Sequence, residues 1–89
     1  MRVEIALTGP PRVILGRAVV DVLLPQSACT LEEVLNALAE AEPRIASYIS
    51  GIGVPAAPFR LLLDDRMLEP RSPIPDGTRI TLLYAVAGG

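Results

Sequence analysis

The residues that most clearly could take part in a reaction are two glycines at the end of the sequence, Gly88 and Gly89. Glycine has no Cβ and tolerates φ values that other residues avoid, so a glycine pair can enter a narrow enzyme channel as bare backbone. A carboxyl group placed there is open to activation and to attack by a nucleophile, because no side chain obstructs either step. We therefore expect acyl-group chemistry at Gly89, with Gly88 providing clearance.

Two other groups of residues have a chemical alternative but are better explained structurally. Cys29 stands just before a predicted helix, whose dipole could lower the pKa of the thiol and favour sulfur chemistry. Free cysteine is more often a small buried hydrophobe, and we interpret Cys29 in that way. The adjacent carboxylates of Asp64 and Asp65 point apart in a predicted turn, with neither a partner base nor a metal ligand available.

The composition excludes several classes of function. The 89 residues include one cysteine and no histidine, which excludes a disulfide framework, a four-thiolate metal site, a Ser-His triad and histidine-ligated zinc. A net charge of -2, with all eight cations spread singly, argues against nucleic-acid binding. No apolar run approaches the ~20 residues of a membrane helix, and the first residues lack the layout of a signal peptide. We expect a cytoplasmic protein with no bound cofactor.

The length predicts one small domain, and the hydrophobic pattern divides it into strands. Residues 2–8 alternate with period two, which predicts a half-buried strand. The β-branched stretch 17–24 predicts a second strand, antiparallel to the first. Residues 59–63 and 78–85 predict two more strands, and residues 67–68 a very short one.

The clearest helix begins after Thr30. In the sequence Thr-Leu-Glu-Glu the Thr30 hydroxyl can accept from the third backbone N–H, while Glu33 accepts from the N–H of Thr30, which is a capping box. Four apolar residues then recur at helical spacing and form one stripe: Leu31, Val34, Leu35 and Leu38. Pro43 ends this helix, and a loop is expected over residues 51–58.

The order strand, strand, helix, strand, short strand, strand predicts an α+β fold. One main helix must cover one face of a mixed sheet of four to five strands, and the last strand can return to the centre, parallel to the first. This layout is the β-grasp, or ubiquitin-like, fold. We predict a single β-grasp domain over residues 1–85 and a flexible tail over residues 86–89.

With these elements placed, the sequence resembles the sulfur carriers related to ThiS and to MoaD, the small subunit of molybdopterin synthase. The resemblance covers nearly the whole chain. It rests on three segments: the capped helix start Thr30-Leu31-Glu32-Glu33-Val34-Leu35, the turn and strand Pro75-Asp76-Gly77-Thr78-Arg79-Ile80, and the tail Val86-Ala87-Gly88-Gly89. The turn, the strand and the glycine pair at this spacing are the more specific part.

The resemblance implies a reaction sequence and a set of partners. An E1-like adenylating enzyme of the MoeB/ThiF type would use ATP to convert the Gly89 carboxylate into an acyl-adenylate. A persulfide of a sulfurtransferase or cysteine desulfurase would attack it and leave a C-terminal thiocarboxylate, which donates sulfur in biosynthesis. The protein would then be a co-substrate more than an enzyme, with a MoaE-like large subunit as a further partner and molybdopterin as the favoured product.

Several alternatives stay open. Small synthase subunits usually carry a pair of prolines where this sequence has Tyr84-Ala85, so a carrier for cysteine, thiamine, tRNA thiolation or a secondary metabolite also fits. A ubiquitin-like modifier would join the same activated Gly89 to target lysines. A plain β-grasp interaction module would not use the glycines at all.

The two apolar runs at residues 61–63 and 82–84 predict a docking patch. They place apolar side chains on both faces of their strands, although one helix can cover only one face. Uncovered apolar area on a small domain usually marks an interface. We predict that this patch binds a partner through four strand residues and two tail residues: Phe59, Leu61, Leu82, Tyr84, Val86 and Ala87.

Overall fold

The structure is a computed structural model and describes residues 1–50 and 59–84 of the chain. The described strands are β1 (Arg2–Ala6), β2 (Val19–Leu23), β3 (Cys29–Thr30), β4 (Phe59–Leu63), β5 (Arg66–Met67), β6 (Pro73–Ile74) and β7 (Arg79–Tyr84). The described helices are α1 (Pro10–Leu15), α2 (Leu31–Ala41) and α3 (Ala46–Ile49), with a 3-10 turn at Pro43–Ile45.

Five strands form one mixed sheet in the order β2-β1-β7-β4-β5. In it β1 is antiparallel to β2 and parallel to β7, and β7 is antiparallel to β4. Ile5 lies opposite Ile80 in the parallel pair, and neither side chain is exposed. The predicted mixed sheet, with the first and last strands parallel at its centre, is confirmed.

Helix α2 begins at the predicted capping box. The Thr30 hydroxyl accepts from the Glu33 N–H at 3.3 Å, and the Glu33 carboxylate accepts from the Thr30 N–H at 2.9 Å. The predicted apolar stripe is buried in the core of the domain: Leu31, Val34, Leu35 and Leu38. The helix ends at Ala41, before Pro43, because the residue preceding a proline is pushed out of the α region.

Two connections differ from the sequence-based expectations. The sequence of residues 12–16 is compatible with one helical turn or an irregular stretch, and the structure has the helix α1 there, which begins at Pro10 and is ended by Gly16 in the left-handed conformation. The prolines of residues 70–75 predict an irregular crossing, and the structure has a two-residue ladder there, in which Cys29 lies opposite Ile74. A strand of two residues is too short to show an alternating pattern, and the sequence analysis missed it.

Some expectations concern residues that the structure does not describe. The predicted loop at 51–58 lies outside the described residues. The boundary between a domain at 1–85 and a tail at 86–89 does so too, and it stays a prediction. None of the helices in the described ranges 1–50 and 59–84 is long and apolar enough to cross a membrane.

The capping box of α2 gives a stability prediction. Thr30→Ala removes the oxygen that satisfies the Glu33 N–H, which should cost about 1 kcal/mol of unfolding free energy. In a domain of this size the melting temperature in a circular dichroism scan should fall by about 4–8 °C. The control is Ser47→Ala on the exposed side of α3, which should leave it nearly unchanged. Equal effects of the two substitutions would contradict the assignment.

Candidate functional site

The end of β7 is the candidate site, because Tyr84 is the last described residue before residues 85–89. The regular pairing of β1 with β7 stops at Thr81, opposite Ala6. Beyond it, the hydroxyl of Thr8 donates to the Leu82 carbonyl at 2.7 Å and accepts from the Tyr84 N–H at 2.9 Å. The Thr8 side chain thereby extends the hydrogen bonding of β7 as far as Tyr84, the residue that precedes 85–89.

The Tyr84 ring is fixed by aromatic contacts and by a close backbone approach. Its centroid lies 6.4 Å from that of Phe59 in a stacked arrangement and 6.3 Å from that of Tyr48, edge to face. On Gly9 an added Cβ would lie 2.8 Å from the Tyr84 Cβ, so a glycine is required there. We call Thr8, Gly9, Tyr48, Phe59 and Tyr84 the tail root.

Three of the four described residues predicted to form an exposed docking patch are buried. Phe59 is 3% exposed, and Leu61 and Leu82 are each 1% exposed. Successive side chains of a strand point to opposite faces, and these three belong to the face that packs into the core. The prediction that they are exposed is therefore wrong. Tyr84 is half-buried at the end of the same face.

The uncovered face carries the intervening side chains of the same strands. Leu83 is 47% exposed and Met67 is 58% exposed. A row of side chains crosses the sheet, because Val19 lies opposite Ala6 and Leu62 lies opposite Met67, with Thr81 between Ala6 and Leu62. The residues Ala6, Val19, Leu62, Met67 and Leu83 form what we call the outer patch. The sequence contained its signal, since Leu62 and Leu83 alternate with the buried residues that were selected.

The other end of the uncovered face is charged. The Arg2 guanidinium pairs with Asp21 at 3.1 Å and with Glu4 at 3.0 Å, and Arg79 Nε contacts Glu4 at 3.0 Å. Exposed pairs of this kind contribute at most about 1 kcal/mol each. They make one end of the face hydrophilic, whereas the outer patch lies at the end where β7 reaches Tyr84.

The structure supports the structural interpretation of Cys29 and of the aspartate pair. Cys29 is 6% exposed in the small ladder, and burial, with a smaller contribution from Glu33, raises the pKa of its thiol. The raised pKa favours the neutral thiol, as expected of a buried structural cysteine. Asp64 and Asp65 form the turn between β4 and β5, and no metal-binding cluster of acidic or thiol side chains exists among residues 1–50 and 59–84.

The four tail residues of the prediction lie outside the described residues. Gly88 and Gly89 as the reacting end, and Val86 and Ala87 as partner contacts, therefore stay predictions. What the structure places is the point from which they continue, at Tyr84 beside Thr8.

The contact of Gly9 with Tyr84 gives a second prediction. Gly9 and Gly16 both have φ +66°, so alanine is strained at either position, at a cost of about 1–3 kcal/mol. Only at Gly9 would the new Cβ meet Tyr84, since nothing lies within 4 Å at Gly16. Gly9→Ala should shift the Tyr84 amide resonance in a ¹⁵N–¹H spectrum, and Gly16→Ala should leave it in place. Equal shifts would contradict the packing of the tail root.

The buried thiol gives a third prediction. Because its pKa is raised, a smaller fraction of Cys29 is thiolate at any given pH, and its burial limits access as well. Iodoacetamide at pH 8 should alkylate the native protein at least about ten-fold more slowly than the urea-unfolded protein. Equal rates would contradict the burial of the Cys29 side chain in the core.

Comparison with known proteins agrees with this geometry. The model of the ThiS family matches residues 5–89. No curated protein matches the sequence. Among solved structures, the chain is similar to small archaeal modifier protein 1 of Haloferax volcanii, with a TM-score of 0.84, 22% identity and 100% of both chains covered.

A second similar structure is a protein assigned as molybdopterin converting factor subunit 1 of Pyrococcus furiosus. Its TM-score is 0.78 at 11% identity, over 97% of this chain and 99% of that one. At such identities the structures show a shared β-grasp fold, and the family model carries the assignment. The chain belongs to the ThiS family and has the β-grasp, or ubiquitin-like, fold.

Proposed function

We propose that this protein is a sulfur carrier whose Gly89 carboxyl group is adenylated by an E1-like enzyme and converted to a thiocarboxylate. The observation that carries the proposal is the ThiS-family match, which extends through Gly89. The fold supports it, because the strand leading to the tail is held at its last described residue by the tail root. The described residues contain no cluster of acidic or thiol side chains that could hold a metal ion.

The proposed reaction has three steps: adenylation, sulfur transfer and reduction. The Gly89 carboxylate attacks the α-phosphate of ATP, and pyrophosphate leaves. The terminal sulfur of a persulfide then attacks the acyl carbon, and AMP leaves. A thiol finally reduces the S–S bond of the resulting acyl disulfide, which releases the thiocarboxylate and a second disulfide. The chain has no histidine and its one cysteine is buried, and in this scheme the catalytic groups are those of the partner enzymes.

The geometry defines what an activating enzyme must accommodate. From Tyr84 the residues 85–89 can span at most about 17 Å when fully extended. The acyl group therefore reacts within that distance of the tail root, and the enzyme must seat itself close to the end of β7. The outer patch lies at this end of the uncovered face. We assign it as the docking surface for the enzyme, in place of the buried residues Phe59, Leu61 and Leu82.

The acceptor of the sulfur is the next element of the proposal. Molybdopterin is the acceptor that the family resemblance favours, through a MoaE-like large subunit. The similarity to a converting-factor subunit supports it at the level of fold. A second candidate function is protein modification through the same activated Gly89, which is favoured by the similarity to a protein named as a small archaeal modifier.

Sulfur loading can be tested by mass spectrometry. The full chain is incubated with ATP, an E1-like enzyme of the MoeB/ThiF type, and a persulfide-bearing cysteine desulfurase with a thiol reductant. Trypsin cleavage after Arg79 then gives the peptide 80–89, which contains no methionine to oxidise. We expect one oxygen of the Gly89 carboxyl to be replaced by sulfur.

Matched variants identify the reacting end. Gly89→Ala keeps a carboxyl group but adds a Cβ, and should reduce loading at least about ten-fold, because the channel admits bare backbone. Gly16→Ala adds the same methyl group at a position where nothing lies within 4 Å of it and should load normally. An unmodified peptide, with the enzyme active on another carrier, contradicts the proposal. Attachment to a lysine in place of sulfur gain identifies the modifier.

A further inference from the structure

The edge of the sheet formed by β2 has unused backbone groups. The sheet begins with β2, which has β1 on one side only. The Leu7 N–H donates to the Ala18 carbonyl at 2.8 Å. In an antiparallel pair the backbone groups of alternate residues point to the same side, so the N–H and C=O groups of the even-numbered residues of β2 point toward β1. The N–H and C=O groups of Val19, Asp21 and Leu23 therefore point outward, and none of them has a hydrogen-bond partner within residues 1–50 and 59–84.

Helix α2 runs beside this edge, antiparallel to β2, and one polar side-chain contact joins the two elements near each end. Arg17, just before β2, forms an ion pair with Glu42, just after α2. Gln26, just after β2, donates to the Glu33 carboxylate at 3.3 Å. A groove of about 580 Å³ lies between the two elements.

The groove has small residues on its helix side and acidic residues along it. Ala37 and Ala41 lie one helical turn apart and leave room beside the strand. Glu33 and Glu40 line the same groove, and Glu40 has no ion-pair partner within the described part of the chain. Between Arg17 and Arg44 the sequence has five carboxylates and no cation. The groove is therefore electrostatically suited to a basic ligand.

We propose that the β2 edge and this groove bind an extended, basic segment of a partner protein by strand addition. The segment pairs its backbone with the outward groups of Val19, Asp21 and Leu23. Alternate side chains of the segment face α2, and these are arginine or lysine: their aliphatic stems pack against Ala37 and Ala41, and their cationic ends lie near Glu33 and Glu40. We call this the edge groove.

Two other occupants fit less well. A second copy paired through β2 would bring two Asp21 side chains and two acidic grooves together, and like charges in such positions are destabilising. The tail of this chain has no cation. The strand β7 ends at the same end of the sheet as Val19 of β2, with β1 between them. The groove is lined from the opposite end of β2, by residues 23–26.

This proposal does not depend on the chemistry of Gly89. The groove is lined by residues 23–26, at the end of β2 away from the tail root, and Val19 is the one residue that the β2 edge shares with the outer patch. Peptide binding can therefore be measured without an activating enzyme. Failure of sulfur loading and failure of peptide binding are separate results.

The test uses a defined probe, a capped nonapeptide in which valine alternates with arginine, titrated into the ¹⁵N-labelled full chain. We expect the amide shifts to be concentrated on the outward residues of β2 and on α2 between Glu33 and Ala41. A nonapeptide that alternates valine with glutamate is the charge control and should not bind. Glu40→Arg should weaken binding at least about ten-fold, and Glu32→Arg, on α2 but outside the groove, should weaken it less than about two-fold.

A pair of substitutions at Leu23 separates strand addition from charge attraction. Leu23→Pro removes an outward N–H that β1 does not use, and should abolish saturable binding. Leu23→Ala keeps the N–H and should bind within about three-fold of the original chain. The proposal is overturned if the arginine peptide does not bind, if binding survives both Glu40→Arg and Leu23→Pro, or if the β2 shifts arise from dimers at rising protein concentration without peptide.

Discussion

The parallel pairing of β1 with β7 is the interaction on which the rest of the structure depends. It brings together strands from the two ends of the chain and buries Ile5 and Ile80 completely. Because the two strands run in the same direction, β1 and β7 end at the same end of the sheet. Thr8 can therefore reach Leu82 and Tyr84, and the pairing at the centre of the core determines where the acyl group would be presented.

A domain of this size has little surface that it can bury, and α2 covers only one face of its sheet. The structure divides what remains into surfaces of different character. The outer patch is apolar and lies near the tail root, the ion pairs around Glu4 make the far end of the same face hydrophilic, and the edge groove is acidic and lies along β2. A carrier that must meet several enzymes in turn can use such surfaces for different partners.

The sequence predicted those features that depend on local periodicity. The capping box at Thr30, the apolar stripe of α2 and the central strands all follow from spacing within a few residues. The choice of Phe59, Leu61 and Leu82 as exposed residues was wrong, because both faces of their strands are apolar and only the packing of α2 decides which face is covered. The bond of Thr8 to Tyr84 joins residues 76 apart, which no local pattern indicates.

ATP–pyrophosphate exchange tests most directly whether Gly89 is presented for acyl activation. Exchange measures formation of the acyl-adenylate by an E1-like enzyme and does not depend on whether sulfur or a lysine is the later nucleophile. We expect exchange with the chain that ends at Gly89, and none with a chain that lacks Gly89 or carries one further residue after it. Equal exchange with all three chains would contradict this expectation.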